Sequence, residues 1–150
     1  MADIKNEIDS LAAYVESKLV GIECINHMPS NYEINRAVIR FISSGSVLET
    51  SYHYRIDRTF QIVYFGKTEL DCLTKMNELE RHMNNDQVIP LIGTSQETRY
   101  LRIGSFSLSQ AFKTEGGVFA IVGVLNASLR ETRPEDQSEK INHVNATIKE

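Results

Sequence analysis

The chain has little of what catalysis, metal binding or export would need. It holds only two cysteines, Cys24 and Cys72. They lie far apart with no ligand spacing around them, which excludes a disulfide framework and predicts two reduced, buried thiols in a cytosolic protein. The four histidines, His27, His53, His82 and His143, belong to no recognised metal motif, and Glu80-Arg81-His82 reads as a solvated helix face. No GxSxG, GxGxxG or P-loop pattern occurs, so the nucleophile and phosphate-cradle readings lack their usual signs. Gly116-Gly117 reads as a turn. No stretch approaches the roughly twenty apolar residues of a membrane span, and "MADIKNEIDS" has neither the basic flank nor the apolar core of a signal peptide. Without such a signal, the glycosylation triplet Asn145-Ala146-Thr147 reads as chance. Positive charge is not in excess either: sixteen Lys plus Arg stand against twenty Asp plus Glu, a formal net charge of −4. That argues against a general nucleic-acid coat. The expectation is a protein that is not an enzyme, with no cofactor, no bound metal and no membrane partner.

The remaining composition is that of a globular domain, with 41% hydrophobic and 24% charged residues. A length of 150 residues suits a single domain with a real core. Ile4, Ile8, Leu11, Val15 and Leu19 form one stripe of an amphipathic helix that Gly21 ends. A short strand near Ile22–Ile25 and a loop opened by Pro29 follow. "RAVIRFIS" reads as a strand broken by Ser44-Gly45-Ser46. From Tyr52 to Tyr64 the even positions are apolar apart from Arg58 and the odd ones mostly polar, the period of a strand with one buried face. After Gly66, Thr68 caps a second helix, with Asp71 as the acidic half of a capping box. The expected buried stripe of that helix is Leu70, Leu73, Met76, Leu79 and Met83, and "NND" closes it. Pro90 confines "VIPLI" to an edge or a loop. "TRYLRIGSFSLSQAF" changes phase at Gly104, where a β-bulge fits. "VFAIVGVLNASL" is apolar on both phases and reads as a central strand covered on both faces. The domain spans residues 1–133, and a polar tail, 134–150, has only Ile141, Val144 and Ile148 to hint at a helix. The fold class is α+β, a mainly antiparallel sheet with two helices packed on one face.

Arginines and an aspartate crowd the long strand, and two readings stand side by side. Arg55 and Asp57 form exposed cross-strand pairs of little energetic weight, or keep an edge from unwanted pairing. Alternatively, a strand of about 40 Å outruns a small sheet, since each residue adds about 3.3 Å. One end then projects as an arm whose tyrosines and arginines suit a protein interface. On the second reading Arg55, Asp57 and Arg58, with Arg99 and Arg102 on a later strand, are candidate subunit or tube contacts.

The N-terminal helix, "RAVIRFISS", "YRIDRTFQIVYFG" running into "TELDCLTKMNELERHM", and the paired "RYLRIGSFSLSQAF" and "GGVFAIVGVLNASL" together resemble the tail terminator proteins of long-tailed bacteriophages, over about residues 1–130. The resemblance implies a small α+β subunit that forms a homo-hexameric ring at the head-proximal end of the tail tube. Subunit contacts that are individually small and act together would leave the free protein a monomer in dilute solution. Such a ring stops tube growth, contacts the tail tube protein below and offers a surface to the head-completion protein above. DNA only passes through its lumen. The setting implied is the host cytoplasm during assembly and then the virion tail. Another head–tail joining protein, or a cytosolic adaptor recruiting a partner through a β-arm, remain the alternatives. The polar tail is not accounted for by the resemblance.

Overall fold

A computed structural model describes residues 4–26, 33–92 and 99–133. In chain order these give α1 (Ile4–Lys18), β1 (Glu23–Ile25), β2 (Arg36–Leu48), β3 (His53–Gly66), α2 (Glu69–Asp86), β4 (Val88–Pro90), β5 (Tyr100–Leu108), β6 (Phe112–Lys113) and β7 (Phe119–Thr132). The strands make one sheet in the order β1-β2-β3-β7-β5-β4, with β6 also on β7. Among the described residues, only the β1–β2 pair is parallel. The fold is α+β, with both helices against one face of a mostly antiparallel sheet. The loop expected at Pro29 and the polar segment 134–150 lie outside the described residues.

Helix α1 buries Leu11 and Val15 of the expected stripe, with Glu7, Ser10 and Tyr14; Leu19 is buried just past its end, and Ile4 and Ile8 are partly buried. Gly21 adopts φ 85°, the left-handed geometry that ends a helix at little cost only for glycine. In α2 the Thr68 side chain accepts a hydrogen bond from the Asp71 amide at 3.1 Å. The reciprocal half of the capping box differs. The Asp71 carboxylate accepts from the Lys67 amide and the Tyr64 hydroxyl, each at 3.3 Å, so it ties the helix start to the end of β3. The buried stripe is also rotated from the expected one. Cys72, Met76, Leu79 and Met83 are buried, whereas Leu70 and Leu73 are exposed. Steps of four, three and four from Cys72 keep one line on the helix surface. Leu73 falls on the flank of that line and Leu70 nearly opposite it.

The even-numbered side chains of β3, Phe60, Ile62 and Tyr64, join those helix residues in the main core. Gly123 of β7 marks the closest approach: a Cβ there would lie 2.6 Å from Phe106 Cζ and 3.0 Å from Met76 Cε. At the β1 end the opposite face is also apolar, where Val38, Val63, Phe65 and Ala120 form a second, smaller cluster. Strand β7 is therefore covered on both faces only near its start. Further along, Asn126 and Arg130 are exposed while Leu125, Ala127 and Leu129 are buried, so the expectation of two-sided cover holds for one end alone.

Ser44-Gly45-Ser46 does not break the second strand. β2 runs on through these residues to Leu48, pairing Ser44 with Arg58, Gly45 with Asp57 and Ser46 with Ile56. Cross-strand pairing with β3 overrides the local turn preference, as sheet context commonly does. The irregularity is instead a bulge at Ile42, between the pairs Phe41–Phe60 and Ser43–Thr59. The bulge at Gly104 falls where the phase change places it. A Cβ on Gly104 would come within 3.1 Å of the Asn126 carbonyl oxygen. Pro90 sits in the edge strand β4, and Gly117, at φ 82°, turns the chain into β7.

Candidate assembly surface

The hairpin of β2 and β3, flanked by β7, carries the charges singled out in the sequence, and strand parity sorts them onto two faces. Odd-numbered residues of β3 lie on the open face, away from the helices. There Arg55 binds Asp57 through Nε–Oδ1 at 2.9 Å and Nη2–Oδ2 at 3.3 Å. It also approaches Glu49, with Nη1 3.5 Å from Oε2. Glu49 accepts a bidentate pair from Arg130 of β7 at 2.6 and 3.2 Å. The hydrogen bonds from Arg130 hold the Glu49 carboxyl below the usual carboxylate range. His53 Nδ1 lies 3.6 Å from Glu49 Oε1 and makes no hydrogen bond among the described residues. Arg102 of β5 pairs with Ser128 of β7, whose other neighbour is Asp57. All three thus lie in one row across the open face, and Arg102 is exposed. Beside this row the Thr59 hydroxyl donates to Asn126 Oδ1 at 2.9 Å and Asn126 Nδ2 donates to Ser105 Oγ at 3.0 Å.

Arg58 and Arg99 have a different setting. Arg58 points to the helix-covered face and grips Glu7 of α1 with two bonds of 2.7 and 3.0 Å; a third goes to Ser44 Oγ at 2.8 Å. The Glu7 side chain is 1% exposed and that of Arg58 15%. This buried pair locks the first helix to the middle of the sheet. Arg99, just before β5, donates to the Glu131 carboxylate at 3.0 Å and to the Arg130 carbonyl at 2.6 Å, again on a nearly buried acid. Of the five candidates, the fold brings Arg55, Asp57 and Arg102 together on an outward surface and assigns Arg58 and Arg99 to internal clamps.

The sequence reading passed over Glu7, Glu49, Arg130 and the apolar rim. On either side of its serines β2 exposes Phe41, Ile42, Val47 and Leu48, and Tyr52 stands 77% exposed at the hairpin tip. A signal for the rim was present in the apolar doublets on either side of the serines. No pattern could join Glu7 to Arg58 across 51 residues.

At the opposite edge, α1 and β4 border a groove of about 380 Å³ that includes Tyr14, Asp86, Val88 and Pro90. The Tyr14 hydroxyl donates to Asp86 at 2.7 Å, and Lys18 approaches the same carboxylate at 3.4 Å. Burial, reinforced by Asp86, raises the Tyr14 phenol above its ordinary range, so it serves as a donor. Burial likewise pushes the Cys24 thiol up to about 12 and raises that of Cys72. Both cysteines are free, and their thiols are poor nucleophiles at neutral pH. No helix among the described residues is long and apolar enough to cross a membrane. No protein-family model matches the chain, and no match is found among curated proteins.

Proposed function

We propose that this chain is a structural subunit of a phage-type tail. In this reading it caps the tube at the head-proximal end, ends tube polymerisation and presents the surface on which a head is joined. The observation that carries the reading is the hairpin end of the β2–β3–β7 sheet, where β3 does not run out as a lone arm but stays paired with β2 and β7 as far as Tyr54. Val47, Leu48 and Tyr52 are exposed there beside the Asp57–Arg55–Glu49–Arg130 lattice. Apolar anchors bordered by fixed, paired charges suit contact with another protein, because the charges set register while the anchors supply burial. The resemblance set out from the sequence is the other support for this assignment. The chain performs no catalytic step and takes no cofactor; it works by assembling with itself, the tube protein and a head-completion protein, while DNA passes through the ring.

A growing tube offers the same end after every added ring, so nothing in the tube subunit marks where to stop. A terminator must bind that end and expose a different far side. Six modest contacts acting together give a ring enough avidity to do so. In a phage lacking this protein, tails should grow past their normal length and fail to join heads. Charge reversal at Arg55 or Arg102 should weaken assembly with the circular dichroism spectrum unchanged. Normal-length tails that join heads without the protein would end this reading and leave the adaptor alternative.

A further inference from the structure

We propose that the free edge of β2 pairs antiparallel with the β2 edge of a second copy of this chain, about a two-fold axis at Gly45. This concerns the free protein and holds whether or not the tail reading does. β1 covers only Arg36, Ala37 and Val38 of β2. From Ile39 to Leu48 the outer side of the strand has no ladder partner among the described residues, and Arg40 through Leu48 are exposed. Soluble sheets normally blunt such an edge with lysine, proline or inward charge. The stretch "FISSGSVL" has none of these, and Phe41, Ile42, Val47 and Leu48 are each between 45% and 64% exposed.

The register identifies the occupant. Opposed residues of an antiparallel pair share a face of the sheet, so only a register that matches the faces of β2 is allowed. Arg40, Ser43, Gly45 and Val47 pair with odd-numbered, open-face residues of β3, while Phe41, Ser44, Ser46 and Leu48 pair with the other set. With Gly45 opposite Gly45 of a second copy, Ser44 meets Ser46 and Ser43 meets Val47, each within one face. Beyond Ser43 the bulge at Ile42 shifts the count by one on both strands. Phe41 then meets Leu48 on the helix side, and Arg40 meets Glu49 on the open side. Both ends of the paired edge therefore close on an apolar contact and an opposite charge. Each copy's bulge faces the regular Val47–Leu48 stretch of the other, so the two-fold places one such irregularity at each end of the paired edge. A cyclic ring uses two unlike surfaces, so a two-fold pair consuming this edge has to open before the chain enters one.

The test uses the intact protein and its cysteine variants. Sedimentation velocity should show the mass doubling reversibly as concentration rises from low to high micromolar. A side chain at Gly45 meets open space, and opposed Cα atoms in an antiparallel pair lie about 4.5–5.5 Å apart, within the roughly 4.4–6.8 Å that a disulfide tolerates. Gly45→Cys should thus oxidise to a covalent dimer at least tenfold faster than Gly116→Cys, an equally open position away from the edge. Ser43→Cys mixed with Val47→Cys should give mainly the mixed dimer. A chain that stays monomeric throughout, or equal cross-linking at Gly45 and Gly116, would overturn the proposal. So would protection, in a strictly monomeric protein, of those Phe41–Leu48 amides that face away from β3, which would assign the edge to a segment of the same chain.

Discussion

Replacing Glu7 by alanine isolates the clamp between α1 and the sheet. In the intact protein the Arg58 guanidinium gives two bonds to a carboxylate that is 1% exposed and one to Ser44. Truncating one partner of a buried pair leaves the other charge without compensation, at a cost of about 3–5 kcal/mol. Arg58 keeps some solvent contact and its bond to Ser44, which places the loss near the lower end, about 3 kcal/mol. For a domain of this size each kcal/mol moves the melting temperature by about 2–4 °C, so Glu7→Ala should melt about 6–12 °C lower. Thermal and urea unfolding followed by circular dichroism read this directly. The double variant Glu7→Leu/Arg58→Met should recover most of the loss, since a well-packed apolar pair substitutes for a buried ion pair at little cost. A Glu7→Ala protein melting within a degree of the parent, or single losses that simply add in the double variant, would refute the reasoning.

Three further outcomes follow from the packing and the charges. Gly123→Ala drives a methyl to within 2.6 Å of the Phe106 ring and 3.0 Å of Met76; it should cost about 1–3 kcal/mol in urea unfolding, the usual range for overpacking. Thr68→Ala removes the side-chain acceptor of the Asp71 amide and should cost about 1 kcal/mol, with faster amide exchange in the first turn of α2. The Glu49 carboxyl titrates lower in the folded chain because Arg130 binds its charged form. Its contribution is therefore fully present above the unfolded value of about 4.3 and is lost only as pH falls through the lower folded value. In a His53→Gln background, which removes the imidazole 3.6 Å from Glu49, amide shifts of Glu49 and Arg130 should hold steady from pH 7 to 5 and move together only below that.

What could be read in advance was whatever leaves a local signature. The change of phase around Gly104, the cap at Thr68 and the edge position of Pro90 each follow from a few neighbouring residues, and each is found where expected. The failures share one cause, a partner far away in the chain. Ser44-Gly45-Ser46 looks like a break until β3 lies alongside it and draws the backbone into the ladder. Leu70 and Leu73 look like core until the sheet selects the line through Cys72. Arg58 stands in an apolar phase and resembles Arg55, yet Glu7 makes one a clamp while Asp57 keeps the other outside. Among the candidate contacts on β3, position and phase along the strand were legible and the distant partner was not.

The place of β7 between β3 and β5 also sets a timetable for the nascent chain. His53 pairs with Thr132 and Gly66 with Phe119, so the inner side of β3 waits for a strand made long after it. Until then α1, β1, β2, β3 and α2 can gather only as a three-stranded fragment with its two helices, the inner edge of β3 unpaired. Pairings of such long sequence separation form slowly, and a waiting strand is open to wrong partners. Refolding should be slow for a domain of this length. Synthesis is best followed by immediate capture of the last strand, because every earlier element stays provisional until β7 slides between its neighbours.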